Sequence, residues 1–449
     1  MNSTSGFEND SIWHLILKNG FPSMLTMVVV IIYNLADTFF VGQTHNDLMV
    51  AAVSVAAPIF TLLITMGTLI GSGGCSVISR ALGSRDDTVA QKTSSFCFYI
   101  SLFVGIFFML LLLIGCVPIL RLVGATVNTL PMASIYLRII AVGAPFIIFS
   151  NTLANTIRAD GAAKESMAGN MIGTVTNIVL DPIMILGFGW GIAGAAIATV
   201  VGNICACVYY VALMRRRKSA ALSYQWSDFT LDRKISVPVF AIGLPGALGN
   251  LLMSVSNVIM NRFLVPYGDG AVAAMGVAMK IGMIVAMLQM GLCMGVLPIL
   301  AYNFGSQRIQ RVRETILKTG LLCIILGSSM TLICYFAAAP LVSAFVTDPD
   351  TILIGIKMVK AIILSGPILG IYFLTTNIMQ AAGKSLIPTI VSLSRQGLIY
   401  IPCLVLFNSI WGLDGLVYTQ AVSDIVASLL SILLCVLVMK KVTESKVNI

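Results

Sequence analysis

Asp37 and Asp181 are the residues of this chain best placed to do chemistry. Asp37 lies in MLTMVVVIIYNLADTFFVG and Asp181 in MIGTVTNIVLDPIMILGFG, with no basic residue near either in sequence. An ionisable side chain at such depth in apolar sequence is costly unless paired, hydrated or protonated, so it marks a functional site by default. Asn177 precedes Asp181 by one helical turn on the same face, and Tyr33 stands one turn before Asp37. These groups offer only oxygen-bearing ligands besides the asparagine amide, which suits a hard cation or a proton. Two carboxylates hydrogen-bonded purely for helix packing are the plainer alternative.

The elements that must carry these residues are membrane helices. The chain has 449 residues, 58% hydrophobic and 10% charged, with mean hydropathy +0.98. Soluble domains carry roughly 25% charged residues. Apolar runs recur end to end and predict an all-α polytopic protein with twelve spans, near 13–42, 48–79, 93–115, 131–157, 166–188, 191–213, 236–263, 271–301, 315–336, 352–379, 386–408 and 415–438. The polar, acidic first eleven residues do not read as a secretory signal.

The net charge of +9 invites a nucleic-acid reading, but the basic residues fall in alternate loops. Arg80, Arg85 and Lys92 follow span 2; Arg158 and Lys164 follow span 4; Arg215, Arg216, Arg217 and Lys218 follow span 6. Arg308, Arg311 and Arg313 follow span 8, Lys384 follows span 10, and Lys440 and Lys441 follow span 12, whereas the opposite loops hold little base beyond Arg121. That is the positive-inside pattern; it predicts a multi-pass protein of the cell membrane with both termini cytoplasmic and no nucleic-acid partner. The ten cysteines lack metal-ligand spacing and read as small buried apolar residues. The two histidines, His14 and His45, lie near span ends, which leaves no His-based zinc or catalytic site. Neither an HExxH motif nor a GxSxG elbow is present, so an intramembrane enzyme is disfavoured.

The chain is internally duplicated at an offset of about 222 residues. GFPSMLTM (20–27) resembles GLPGALGN (243–250), AAVSVAAPI (51–59) resembles AAMGVAMKI (273–281), and RADGAAK (158–164) echoes MQAAGKS (379–385). GIAGAAIATVVGN (191–203) likewise echoes GLDGLVYTQAVSD (412–424). Six spans per half is an even number, so both halves insert in the same orientation, as in parallel-repeat transporters. The predicted organisation is an N-terminal six-helix lobe (1–213), a polar linker (214–234) and a C-terminal six-helix lobe (235–449).

Depth brings the candidate ion ligands together. Asp37 lies five residues before Gly42 and Asp181 six before Gly187, ~8–9 Å below the outer ends of spans 1 and 5 at 1.5 Å per residue. Thr199, the ninth residue of span 6, lies ~13 Å in from the same side. Pro182 removes a backbone donor and leaves the Ile178 carbonyl open to a cation, a water or a side chain, or else simply bends the span.

In the C-terminal half, span 8 places Met275, Met279, Met283, Met287, Met290 and Met294 at steps of four and three residues. Such a stripe suits either an adaptable cavity wall or packing between helices, and Met253 and Met260 of span 7 can extend it. Lys280 in span 8 has no evident partner and suits either shaping the electrostatics of the substrate cavity or snorkelling outward. Arg395 and Asp424, near the middles of spans 11 and 12, would offset each other as a structural ion pair. Arg138 and Lys360, one in each half, are predicted to snorkel at the outer interface.

NLADTFFVGQ, ISRALGSRD, YLRIIAVGAPF, NIVLDPIMILGFGWGIAGAAIAT and GLCMGVLPILAYNFGS resemble the multidrug and toxic compound extrusion (MATE) family, over essentially the whole chain from about Leu15 to Val438. More narrowly they resemble its branch containing multidrug export protein MepA and DNA-damage-inducible protein F. The resemblance implies an antiporter without a cofactor, exporting lipophilic, often cationic compounds against inward H⁺ or Na⁺ by alternating access, and acting as a monomer in the bilayer. It places the coupling ion among Asp37, Asn177, Asp181 and Thr199. Tyr33 joins this set by its spacing from Asp37, and neutralising the carboxylates is expected to bend or shift span 1, with Pro22 as the bending point. Spans 7 and 10 hold no carboxylate in their cores, and the counterparts of Asp37 and Asp181 fall near Met260 and Ile401. Ion coupling is thus predicted for the N-terminal half alone. A flippase for lipid-linked precursors is the runner-up, but it calls for clustered cavity bases where this half shows acids.

Overall fold

The computed structural model describes residues 7–8, 10–43, 46–217, 219 and 221–447, without the side chains at 34, 35, 37–39, 41, 42, 47 and 439–447. No strand occurs among the described residues. Twelve helices there are long and apolar enough to cross a membrane. With no water in hydrocarbon to satisfy backbone groups, apolar runs of this length must bond to themselves as helices. They are α1 (Ile12–Gly42), α2 (Asp47–Gly83), α3 (Asp87–Ile114), α4 (Leu130–Ala159), α5 (Ala163–Pro182) and α6 (Gly191–Arg216). The second six are α7 (Arg233–Leu264), α8 (Asp269–Gly305), α9 (Ile309–Phe336), α10 (Pro349–Ala381), α11 (Leu386–Trp411) and α12 (Leu413–Val447).

Every predicted span is present, and most run a few residues longer. α2 has 37 residues, about 55 Å at 1.5 Å per residue against a hydrocarbon core of about 30 Å. Local side-chain caps mark the starts of α2 and α3. Asn46 Oδ1 accepts from the Met49 N–H at 3.2 Å, and Asp86 Oδ1 accepts from Val89 N–H at 3.0 Å. Asp348 caps α10, accepting from the Thr351 hydroxyl and N–H at 2.6 and 2.9 Å, which holds its carboxyl below the ordinary range.

The duplication extends to backbone detail. Arg85 and Gln307 are the two described non-glycine residues with positive φ, at 60° and 59°, and they are 222 positions apart. Each closes a long helix, α2 or α8, in the same way: Ser84 N–H bonds Arg80 O, and Ser306 N–H bonds Tyr302 O. Gly161 and Gly383, again 222 apart, turn the chain out of α4 and α10 with φ of 77° and 75°. A residue with a Cβ would be strained at either turn.

Contacts divide the chain into two compact units: Met1–Asp10, Leu25–Gly243 and Ala301–Gln307 form one, and Ser11–Met24, Leu244–Leu300 and Arg308–Ile449 the other. Relative to the sequence halves, the start of α1 counts with the second unit because it packs on α8; a Cβ on Gly295 would sit 2.4 Å from the Asn19 carbonyl. The equivalent close approach joins the start of α7 to α2, where a Cβ on Gly73 would lie 1.8 Å from Val239 O. In the first unit α4 is central, packed on α2, α3 and α6. Its core runs from Leu63, Ile70 and Phe96 to Ile140 and Ile148. The polar linker after α6 is docked on α3: Ser95 Oγ donates to Gln225 O at 2.9 Å and Tyr99 OH to Tyr224 O at 2.7 Å. In the second unit α10 packs on α9 and α12, around Met275, Ile281, Met358 and Tyr400.

Candidate functional site

Small residues set the distance between α5 and α6. A Cβ on Gly202 would lie 2.5 Å from Gly173 O, and one on Gly169 would run into the Tyr210 ring at 2.1 Å. The backbones therefore approach as closely as helices can, in the manner of small-xxx-small interfaces. Tyr210 OH donates to Ser166 O at 2.8 Å and fixes the register at the far end of the same crossing.

That crossing brings Asn177 against Thr199. With its amide oriented so that both ends are satisfied, Asn177 Nδ2 donates to Asp181 Oδ2 at 3.1 Å. Its Oδ1 then accepts from the Thr199 backbone N–H at 3.0 Å and faces the Thr199 hydroxyl at 3.3 Å. The Thr199 hydroxyl also reaches Ala195 O at 3.0 Å, and Tyr33 OH lies 3.5 Å from it, at the outer limit of a hydrogen bond. Asp181 is 0% exposed, Asn177 and Thr199 3% each. Four of the five residues singled out in the sequence thus form one polar chain, Tyr33–Thr199–Asn177–Asp181, buried at all but the half-buried Tyr33. The fifth, Asp37, lies on α1, but its side chain is outside the described residues.

Past Asp181 the helix changes character. Pro182 ends α5, and Ile183–Gly187 forms a wide turn in which Phe188 N–H bonds Ile183 O at 2.8 Å. Turns of this type are uncommon and cluster at functional sites. α6 packs against it: a Cβ on Gly194 would sit 2.8 Å from Met184 O. Pro22 lies inside α1, which runs unbroken from Ile12 to Gly42.

Two supporting residues were missed in the sequence. Asn203 Nδ2 donates to Thr199 O at 2.9 Å, and Ser150 Oγ donates to Asn203 Oδ1 at 2.9 Å, so α4 braces the α6 side of the cluster. The spacing of Asn203 one turn after Thr199, together with Gly169-xxx-Gly173 and Ala198-xxx-Gly202-xxx-Ala206, was the available signal.

In the second unit Arg395 and Asp424 meet, Nε to Oδ1 at 2.8 Å, with side chains 12% and 4% exposed. Gln420 Nε2 donates to the same oxygen at 2.8 Å and Ser365 Oγ to Oδ2 at 3.1 Å. The guanidinium lies 4.8 Å from the Tyr372 ring centre. Arg395 sits in a second wide turn, Ser394–Leu398, whose Arg395 and Gln396 carbonyls accept from Ser423 and Ser256. The pair is thus enclosed by neutral donors and a ring face.

The methionine stripe is divided. Met260 and Met275 are 2% and 1% exposed and belong to the core of the second unit, with Met279 packed against it. Met253 and Met283 are 40% and 42% exposed, and Met287 is half-buried. Lys280 is exposed.

The MatE family model matches residues 22–183 and again 245–406, once per repeat. The chain belongs to the MatE family. Multidrug export protein MepA of Staphylococcus saprophyticus is 31% identical over 444 residues, covering 99% of this chain and 98% of that protein. MepA of Staphylococcus haemolyticus is also 31% identical, over 99% and 97%. Among solved structures, an outward-facing multidrug resistance MATE family transporter of the MOP superfamily superposes with TM-score 0.93 at 22% identity, over 98% of each chain. A MOP superfamily transporter from Pyrococcus furiosus superposes at TM-score 0.90, 22% identity and 97% coverage of each chain. The fold is that of these transporters, and family membership makes the chain a multi-pass membrane transporter and not an enzyme.

Proposed function

We propose that this chain is a secondary active exporter of lipophilic, commonly cationic compounds, driven by entry of H⁺ or Na⁺. Asp37, Asn177, Asp181, Thr199 and Tyr33 hold the coupling ion in the N-terminal lobe. The observation that carries this reading is Asp181: a carboxylate with no exposed surface, in contact with the amide of Asn177 at the end of a chain of neutral polar groups. The export activity in the names of the MepA relatives supports the same conclusion.

Charge logic gives the cycle. With the site open outward, an entering cation or proton neutralises the carboxylates and makes their desolvation affordable. Packing around the neutralised site then tightens, with α1 bending at Pro22, the only proline in that helix. Compound leaves, and release of the ion inward restores the charged, accepting state. The C-terminal lobe shapes the cavity, with Met253, Met279, Met283, Met287 and Lys280 as its adaptable wall. Arg395–Asp424 is the ion pair that holds that lobe together. The protein acts as a monomer. It sits in the cell membrane with both termini cytoplasmic, an orientation that its alternating basic loops support.

The test is isosteric. Asp37→Asn and Asp181→Asn each keep the side chain's shape while removing the titratable charge, and each should abolish gradient-driven dye efflux from cells at unchanged expression. Efflux intact in both variants would sink the assignment.

A further inference from the structure

A groove of about 530 Å³ opens between α3, α4 and α6 of the first unit, and none of Tyr33, Asn177, Asp181 and Thr199 lines it. Its walls are apolar: Leu102 from α3, Phe146 and Phe149 from α4, and Val208 and Ala212 from α6. The walls are fixed in place. The Cys207 thiol donates to Phe146 O at 3.3 Å, and Phe149 packs edge-on against Phe98 at 4.8 Å. Val208, on a helix long and apolar enough to cross a membrane, is 63% exposed.

One end of the groove is cationic. Val208, Ala212 and Arg215 follow at four- and three-residue steps, so an apolar stripe about two turns long ends in a guanidinium on the same helix face. Arg216 lines the same groove. Both arginines are exposed and make no ion pair among the described residues. Their neighbour Arg217 is already committed to Asp160 at 3.2 Å and Glu165 at 2.8 Å. A volume within the usual range of small-molecule sites, apolar along its length and doubly positive at the level of the polar helix end, matches one molecular shape.

We propose that this groove binds one anionic glycerophospholipid, with an acyl chain along α3, α4 and α6 and its phosphate held by Arg215 and Arg216. A soluble phosphate would use the two arginines and leave the apolar length unused. A zwitterionic lipid would fill the length without matching the net charge.

Native mass spectrometry of the full-length protein, titrated with phosphatidylglycerol or with phosphatidylcholine of the same chains, tests this. Phosphatidylglycerol should be retained in preference. Arg215→Gln/Arg216→Gln should weaken its binding on the order of 30-fold, about five-fold for each basic residue at a membrane surface. Lys92→Gln/Lys164→Gln, an equal loss of charge at exposed positions outside the groove, should leave binding unchanged. Ala212→Trp, which fills the groove and keeps both arginines, should also lose the lipid. Equal retention of phosphatidylcholine, an equal fall in the Lys92/Lys164 variant, or undiminished binding to a folded Ala212→Trp would each overturn the proposal. Because both arginine substitutions are at exposed side chains, the charge arm stands even if Ala212→Trp does not fold.

Discussion

Gly202→Ala is the substitution whose effect on the Asp181 cluster follows most directly from geometry. The added Cβ would meet Gly173 O at 2.5 Å, about 0.9 Å short of ordinary 3.4 Å contact, and Asn177 Cβ at 3.3 Å. A backbone carbonyl on a neighbouring helix cannot swing aside, so α5 and α6 must separate. If they part by the full deficit, the 3.0 Å bond from Thr199 N–H to Asn177 Oδ1 stretches to about 3.9 Å, outside the 2.7–3.2 Å hydrogen-bonding range. Overpacking of this kind costs about 1–3 kcal/mol. Gly246→Ala is the matched control: nothing lies within 4 Å of its Cβ, and Gly→Ala in a helix is otherwise favourable by about 0.5–1 kcal/mol. Thermal unfolding of the purified protein should therefore show Gly202→Ala lowered and Gly246→Ala unchanged or raised, with dye efflux lost only in the former. A Gly202→Ala protein as stable and as active as the parent would refute the claim that this crossing positions the cluster.

Two further outcomes follow from the same contacts. Removing one member of the Arg395–Asp424 pair, as in Asp424→Leu, should cost about 3–5 kcal/mol because a buried charge is left alone, whereas Arg395→Met/Asp424→Leu should recover most of it; thermal unfolding separates the two, and equal loss in both would contradict a purely structural pair. Thr199→Val removes the hydroxyl, so stability should fall by about 0.5–1.5 kcal/mol, the net worth of one hydrogen bond, while the ion concentration for half-maximal transport rises on the order of 10-fold. Ion dependence identical to the parent would remove Thr199 from the ligand set.

Much of the fold could be read from the residues because lipid imposes a single rule on long apolar runs. All twelve spans follow from it, and the helix ends differ because helices such as α2 start at local caps that hydropathy does not register. The 222-residue offset, visible as weak similarity, reappears in the backbone at Arg85 and Gln307 and at Gly161 and Gly383. The Arg395–Asp424 contact was legible for the same reason as Asp181: charge in hydrocarbon needs a partner or a purpose. What sequence could not supply was rotation about the helix axis. Met260 and Met275 share a period with Met253 and Met283 yet face the core, because periodicity defines a face without saying what it faces. Asn203 and Ser150 escaped notice because a neutral polar side chain in a membrane helix bonds its own backbone as readily as a neighbour.

The central claim is that inward movement of a cation through the N-terminal carboxylate cluster drives export. Proteoliposomes carrying the full chain, with a sodium gradient and a pH gradient imposed separately, test it most directly. One of the two gradients should drive substrate movement in the opposite direction, and Asp181→Asn should abolish that response. A response to neither gradient, or one that persists in Asp181→Asn, would contradict the account.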